Sequence, residues 1–199
     1  KKICICGGGS LGHVIAGYLS ANGKATVSIL TNHPTAWQNK IEICVPDNGE
    51  MLIGNIACVS ANPAEALLDA EIVLLCLPGF LIKDELIKIR DFINSGTYVG
   101  SVFSSTGFFF EALKLLNEDI PLWGFQRVPF ISRIKEYGHS ASLLGYKGCY
   151  HIAVEREPDA NKELFRYWVE NSFDSPVTLL KNYLEASLQN NNPLFHKAR

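Results

Sequence analysis

Six residues near the start of the chain, Gly7-Gly8-Gly9-Ser10-Leu11-Gly12, restrict its fold more than any other segment. They follow an apolar run, Lys2–Cys6, that reads as a strand. From Ser10 to Asn22 the apolar residues Leu11, Val14, Ile15, Tyr18 and Leu19 recur at i, i+3, i+4, i+7 and i+8, which is one stripe of a helix. Asn22-Gly23 stops that helix and Ala25–Leu30 gives a second strand. A strand, a glycine turn, a helix and a strand within about thirty residues make a βαβ unit. Gly7, Gly9 and Gly12 fill the pattern G-x-G-x-x-G, which carries weight because a strand precedes it and a helix follows. The first glycine permits the tight turn, the second lets backbone approach a pyrophosphate, and the third removes a Cβ where helix meets strand. Unpaired N–H groups of Ser10, Leu11 and the residues around them, at the positive helix end, then hold phosphate oxygens. The Ser10 hydroxyl is a further candidate donor. The competing reading is a glycine turn with no ligand.

The rest of the first 150 or so residues alternates strands and helices, as a doubly wound α/β sheet of Rossmann type does. Ile41–Val45 and Met51–Ala57 flank Asp47-Asn48-Gly49, a hairpin signal. Asn62-Pro63-Ala64-Glu65 offers an N-cap, a first-turn Pro and a capping Glu for a short helix to about Leu68. The unbroken apolar run Ile72–Leu77 suits a parallel strand covered on both faces. A helix over Lys83–Ile93, a strand over Thr97–Phe103, a helix over Phe108–Leu116 and a strand over Pro121–Phe125 follow. Beyond Glu155 the pattern changes, with helices expected over Glu163–Asn171 and Leu179–Leu188, a polar joint at Asn190–Asn192 and a helix start at Pro193. The expected organisation is a Rossmann domain over 1–155, then a linker and the first helices of an all-α substrate domain over 156–199. The apolar stripes of those helices are expected to meet a missing domain or a second copy of the chain. The chain opens on a strand without Met and stops six residues after Pro193, so it reads as part of a longer protein.

Composition removes several classes. With 199 residues, 47% hydrophobic and 19% charged, the chain is globular rather than disordered. Eighteen Lys and Arg against twenty Asp and Glu leave a formal charge of −2, and no basic cluster points to nucleic acid. No apolar run has the length of a membrane span, and no signal-peptide pattern opens the chain. The six cysteines form no C-x-x-C pair and sit mostly in apolar runs, as buried reduced thiols do, which implies a cytoplasmic protein. His13, His139 and His151 lack partners at metal-ligand spacing, and no metal site is expected.

The end of the second strand decides the coenzyme. NAD sites place an acid there for the ribose hydroxyls. Here the residues are Thr31-Asn32-His33, with no carboxylate to repel a 2′-phosphate. Asn32 and His33 can donate hydrogen bonds, with Lys40 a nearby candidate, so NADP is favoured over NAD; Asn32 as a mere turn former before Pro34 is the alternative. Leu77-Pro78-Gly79 ends a core strand on the side that faces the coenzyme, or is an ordinary strand-to-helix turn. Ser105 and Thr106 follow another strand end. Gln126 and Arg127 follow the last expected core strand, where Arg suits bidentate binding of a substrate carboxylate; a surface ion pair is the alternative.

Four segments together resemble the octopine/nopaline (opine) dehydrogenases, which are NAD(P)-dependent. They are Gly7–Gly12, Leu77-Pro78-Gly79-Phe80, the stretch Phe125-Gln126-Arg127-Val128-Pro129-Phe130-Ile131-Ser132-Arg133 with Glu136-Tyr137-Gly138, and Asn192-Pro193-Leu194-Phe195-His196. The first is generic and the last two are more specific. The resemblance implies a Rossmann domain followed by an all-α substrate domain. It also implies hydride transfer from NAD(P)H to the imine of a 2-keto acid and an amine. By the same resemblance His196 is the general acid/base, its partner carboxylate lying further along the helical domain. Asn192 as N-cap and Pro193 as first helical residue place His196 in a first turn, where the helix end favours neutral imidazole. The alternatives are a 2-keto acid reductase of ketopantoate reductase type, with Lys181 as its only nearby lysine candidate, and a coenzyme-binding module without catalysis.

Overall fold

The computed structural model describes residues 1–189; Asn190–Asn192, Pro193 and His196 lie outside the described residues. The strands are β1 (Lys2–Cys6), β2 (Thr26–Leu30), β3 (Lys40–Val45), β4 (Glu50–Ser60), β5 (Ile72–Leu75), β6 (Tyr98–Ser101), β7 (Leu122–Phe125), β8 (Phe130–Glu136), β9 (Ser140–Tyr146), β10 (Tyr150–Glu155) and β11 (Val177–Leu179). The helices are α1 (Ser10–Ala21), α2 (Pro63–Ala66), α3 (Gly79–Ile89), α4 (Phe108–Leu115), α5 (Asp159–Phe173) and α6 (Tyr183–Leu188). The strands join in the order β11-β10-β7-β6-β5-β1-β2-β4-β3-β9-β8. At the centre β2, β1, β5, β6 and β7 are mutually parallel, the doubly wound arrangement expected. Asp47-Asn48-Gly49 does turn the β3–β4 hairpin, with Gly49 at φ +72°.

β4 is eleven residues long and does two jobs. Its C-terminal part runs parallel to β2, and its N-terminal part pairs antiparallel with β3. β3 then pairs with β9, and β9 with β8. The β3–β9–β8 extension packs on α1, so α1 is covered on two sides. Seven of its twelve residues are buried, the polar His13 among them.

Four strands were not expected from the sequence: β8, β9, β10 and β11. β8 alternates in burial (Phe130 buried, Ile131 exposed, Ser132 half-buried, Arg133 exposed, Ile134 half-buried, Lys135 exposed), the period-2 pattern of a sheet with one wet face, whereas Ala141–Leu143 of β9 and Ile152–Val154 of β10 are buried in succession. The segment 156–189 also differs from a separate helical domain. β11 extends the same sheet, pairing parallel with β10. Phe165, Val169 and Phe173 on α5 bury their stripe in the core that holds Ile3, Ile5 and Trp123. The expected helix over Leu179–Leu188 is a strand end followed by a shorter helix. Asn182 divides them, its side chain accepting from Leu184 N and Glu185 N as the N-cap of α6. α3 begins at Gly79, earlier than expected, because Pro78 sits extended at its N-cap.

Candidate functional site

The glycine turn sits where expected, between β1 and α1. Gly7 adopts φ +117°, and a Cβ there would lie 2.7 Å from the Cys76 carbonyl oxygen. Its N–H donates to Leu30 O at 3.0 Å, fixing the turn to β2. A Cβ on Gly12 would collide with the Gly7 carbonyl oxygen. Gly9, the N-cap of α1, has open space where a Cβ would point. The cap makes no side-chain hydrogen bond and no acid lies in the first turn of α1. The first-turn N–H groups and the positive helix end therefore face an open approach, which is the geometry that receives phosphate.

Two adjoining hollows meet at this turn. The larger is a cleft of about 790 Å³ whose lining includes Gly9, Ser10, Leu11, Leu77, Pro78 and Phe130. Ser105 and Thr106 line it too, from the short turn after β6. Most of its wall is apolar, which suits a flat aromatic ring. The smaller is a recess of about 160 Å³ that includes Gly7, Gly8, Asn32, His33 and Leu77. Leu77 borders both. So Gly7, Gly9, Ser10, Leu11, Asn32, His33, Leu77 and Pro78 converge, and Gly12 supports them from beneath. These residues could hold a dinucleotide, the N–H groups taking its diphosphate, the apolar cleft its ring and the recess its adenosine. When bound it would supply or accept hydride.

The recess also holds residues not anticipated from the sequence. Glu85 and Lys88 reach it from α3 and Tyr137 from the β8–β9 turn; Lys40 is absent from its lining. The Tyr137 hydroxyl stands over Gly8, where it excludes a Cβ, and lies 3.4 Å from Thr31 Oγ1. Burial raises the Glu85 carboxyl above its usual range, with Lys88 opposing. Glu85 stands about one turn before Lys88 on α3, but nothing in that spacing points to the recess.

His13 holds the turn to β8–β9. Gly138 N donates to its Nε2 at 2.7 Å, and its Nδ1 lies 3.0 Å from Gly9 O. With Nε2 accepting, Nδ1 must carry the proton, so the ring is neutral. Burial lowers its proton affinity, and the ring packs 4.2 Å from Trp37. His13 is thus structural, as expected. Ser10 Oγ accepts from Ile134 N at 3.3 Å, a second tie to β8 that leaves the hydroxyl proton free to donate.

Gln126 and Arg127 do not join the cleft. They line a separate dent with Lys147, Cys149, Tyr150 and His151. Gln126 Nε2 donates to Glu185 O at 3.2 Å, which ties β7 to α6, and Arg127 is exposed. Lys181 is exposed, its N–H donating to Glu185 Oε2 at 3.0 Å. All six cysteines are free. The hydrogen bond with Cys4 and burial push the Cys6 thiol up, and burial does the same to Cys76, so both are neutral thiols under the turn. Among the described residues no cluster of metal-ligating side chains occurs, and no helix is long and apolar enough to cross a membrane.

No family model matches the chain. It is 28% identical over 212 residues to the uncharacterized protein y4xO of Sinorhizobium fredii, covering 99% of this chain and 55% of that one. It is 23% identical to octopine dehydrogenase of Mizuhopecten yessoensis and 26% identical to tauropine dehydrogenase of Arabella iricolor, in each case over 73% of this chain and 40% of the relative. The chain thus spans about half, or less, of the length of the curated relatives it matches. Among solved structures, octopine dehydrogenase in complex with NADH and agmatine superposes with a TM-score of 0.80 at 20% identity, covering 93% of this chain and 50% of that one. The NADP+-bound yersinopine dehydrogenase superposes at 0.70 and 16% identity, covering 94% and 49%. A ketopantoate reductase from Ralstonia eutropha superposes at 0.69 and 16%, covering 94% and 59%. The chain is thus similar in sequence to octopine and tauropine dehydrogenases and carries a Rossmann-type fold like that of octopine dehydrogenase.

Proposed function

We propose that this chain is the coenzyme-binding part of an NAD(P)H-dependent oxidoreductase of opine dehydrogenase type. The observation that carries this reading is the convergence of an uncapped α1 N-terminus, an open Gly9 and the apolar Leu77–Pro78 wall on one cleft. The first turn of α1 binds the diphosphate, Leu77, Pro78 and Phe130 orient the ring and exclude water, and Asn32 and His33 meet the adenosine ribose. The end of β2 favours NADP(H), because it carries no acid and Lys88 stands in the recess, where Glu85 opposes it. The substrates are a 2-keto acid and an amine. Their imine carbon receives hydride while a proton is delivered to its nitrogen. By resemblance His196 holds that proton, and Asn192, with Gln126 and Arg127, is a candidate to bind substrate. The free cysteines favour a reducing compartment such as the cytoplasm. Leu164, Tyr167 and Leu188 are among the exposed apolar side chains available to a second copy in a homodimer.

The test is Gly9→Ala. The Gly9 backbone, at φ −81° and ψ −178°, suits any residue, so the variant should fold and melt as wild type does. Its methyl group would stand in the path of the diphosphate and weaken both NADPH and NADH by about tenfold or more, ~1.4 kcal/mol. A wild-type protein that binds neither coenzyme sinks the proposal. Binding without turnover of any keto acid plus amine by the full-length protein would favour a module without catalysis.

The fold is shared with ketopantoate reductases, which keeps a simple 2-keto acid reductase as a second reading. Reduction of keto acid without any amine would select it.

A further inference from the structure

An acid at the end of the second strand of a dinucleotide-binding unit accepts hydrogen bonds from the adenosine ribose and repels a 2′-phosphate. β2 ends without one, yet the structure brings a carboxylate to the same place by another route. Glu85 lies on the second turn of α3 and lines the recess of about 160 Å³ with Gly7, Gly8, Asn32 and His33. We propose that Glu85 is the residue that ranks NADH against NADPH, its carboxylate accepting from the ribose hydroxyls and repelling a 2′-phosphate. This inference rests on the coenzyme reading given above.

In a recess of about 160 Å³ a 2′-phosphate would lie near the carboxylate. Between like charges confined in a partly dry hollow, repulsion falls only as the inverse of distance and is weakly screened by salt. The groups that share the recess or act on Glu85 are few. Lys88, one turn along α3, attracts a phosphate and stabilises the Glu85 carboxylate. His33 faces in from the end of β2 and Tyr137 from the β8–β9 turn. The Cys6 thiol of β1 is within electrostatic reach of Glu85 and neutral. Lys88 and Glu85 thus oppose each other over a 2′-phosphate. Burial holds the Glu85 carboxyl protonated to higher pH than usual. Once Glu85 ionises, the balance tips toward NADH. As pH rises through that ionisation, NADPH loses ground to NADH.

The experiment is a titration of both coenzymes, followed by their fluorescence, against wild type and Glu85→Gln between about pH 5.5 and 8.5. The 2′-phosphate has its own ionisation near pH 6, so the readout is the NADPH/NADH affinity ratio of the variant divided by that of wild type. The glutamine keeps the size and an acceptor and removes only the charge. The expected result is a quotient of about tenfold, equivalent to ~1.4 kcal/mol, where Glu85 is ionised, and smaller toward acid pH. Lys88→Gln should do the reverse, weakening NADPH more than NADH at every pH. A quotient that stays at one overturns the proposal. So does loss of both coenzymes by one factor, which would mean that Glu85 holds the adenine base. If wild type binds neither coenzyme, the underlying reading fails and the ranking falls with it; if wild type binds both and the quotient stays at one, only the role of Glu85 fails.

Discussion

Replacing His13 by Phe tests how much of the glycine turn depends on the hairpin that packs against it. The ring is fully buried and lies 4.2 Å from Trp37, so a phenyl group retains most of the packing. What goes is the acceptor for Gly138 N–H. Stranding that buried N–H costs roughly 1–3 kcal/mol. The loss at Gly9 O is smaller, because that carbonyl still accepts from the backbone N–H of residue 13 at 3.0 Å. A total of about 2 kcal/mol corresponds to a fall in melting temperature of roughly 4–8 °C for a chain of this size. His13→Gln should recover about half, since its side-chain carbonyl replaces Nε2 as acceptor. Both variants also differ from wild type in pH dependence. Burial lowers the proton affinity of His13 in the folded protein, while the unfolded imidazole titrates near pH 6.5. The unfolded state therefore binds more protons on acidification, and this contribution to wild-type stability is lost as pH falls below about 6.5. His13→Gln lacks that term, so its stability gap to wild type should narrow between about pH 7.5 and pH 5. Urea melts at both pH values read the effect. A His13→Phe variant within about 0.5 kcal/mol of wild type, or a gap that does not change with pH, would refute the reasoning.

Gly138 has φ +72°, and a Cβ there would run into the Ala36 carbonyl, so Gly138→Ala should destabilise by about 2 kcal/mol or more and weaken coenzyme binding with it, as read by chemical denaturation and coenzyme titration. Arg156 donates to the carbonyls of Leu113, Leu116 and Asn117 at the end of α4, at 3.1, 3.2 and 2.6 Å. Its own φ is +62°. Arg156→Ala should cost about 2 kcal/mol in thermal melts, and Arg156→Gly up to about 1 kcal/mol less, because glycine relieves the left-handed backbone while losing the same donors.

Local signals carried the centre of the fold. The glycine turn, the helical stripe through Val14 and Ile15 and the apolar run at Ile72 each announce their element within a dozen residues. The antiparallel extension left a weaker trace. Phe130–Glu136 mixes apolar and charged residues because only one face is covered, and the register of β8 and β9 is set by partners far along the chain, β9 by β3 among them. The same distance hid half of the recess. Asn32 and His33 are readable from their position after a strand. Glu85 and Tyr137 reach the recess only through α3 packing and the β8–β9 turn, which no spacing in the sequence encodes. Gln126 and Arg127 show the converse: the right residue types at a strand end, turned by the β7–β10 pairing toward α6 and a dent away from the cleft.

The imidazole that closes the turn reaches across 125 positions to find its donor. A nascent chain leaving the ribosome can form the first strand–helix–strand early, but the phosphate cradle stays unbraced until the residues around 138 have been synthesised. An excised minimal βαβ peptide should therefore be a poor coenzyme binder, and maturation of this turn belongs to the late, slow phase that long-range strand pairing imposes on folding.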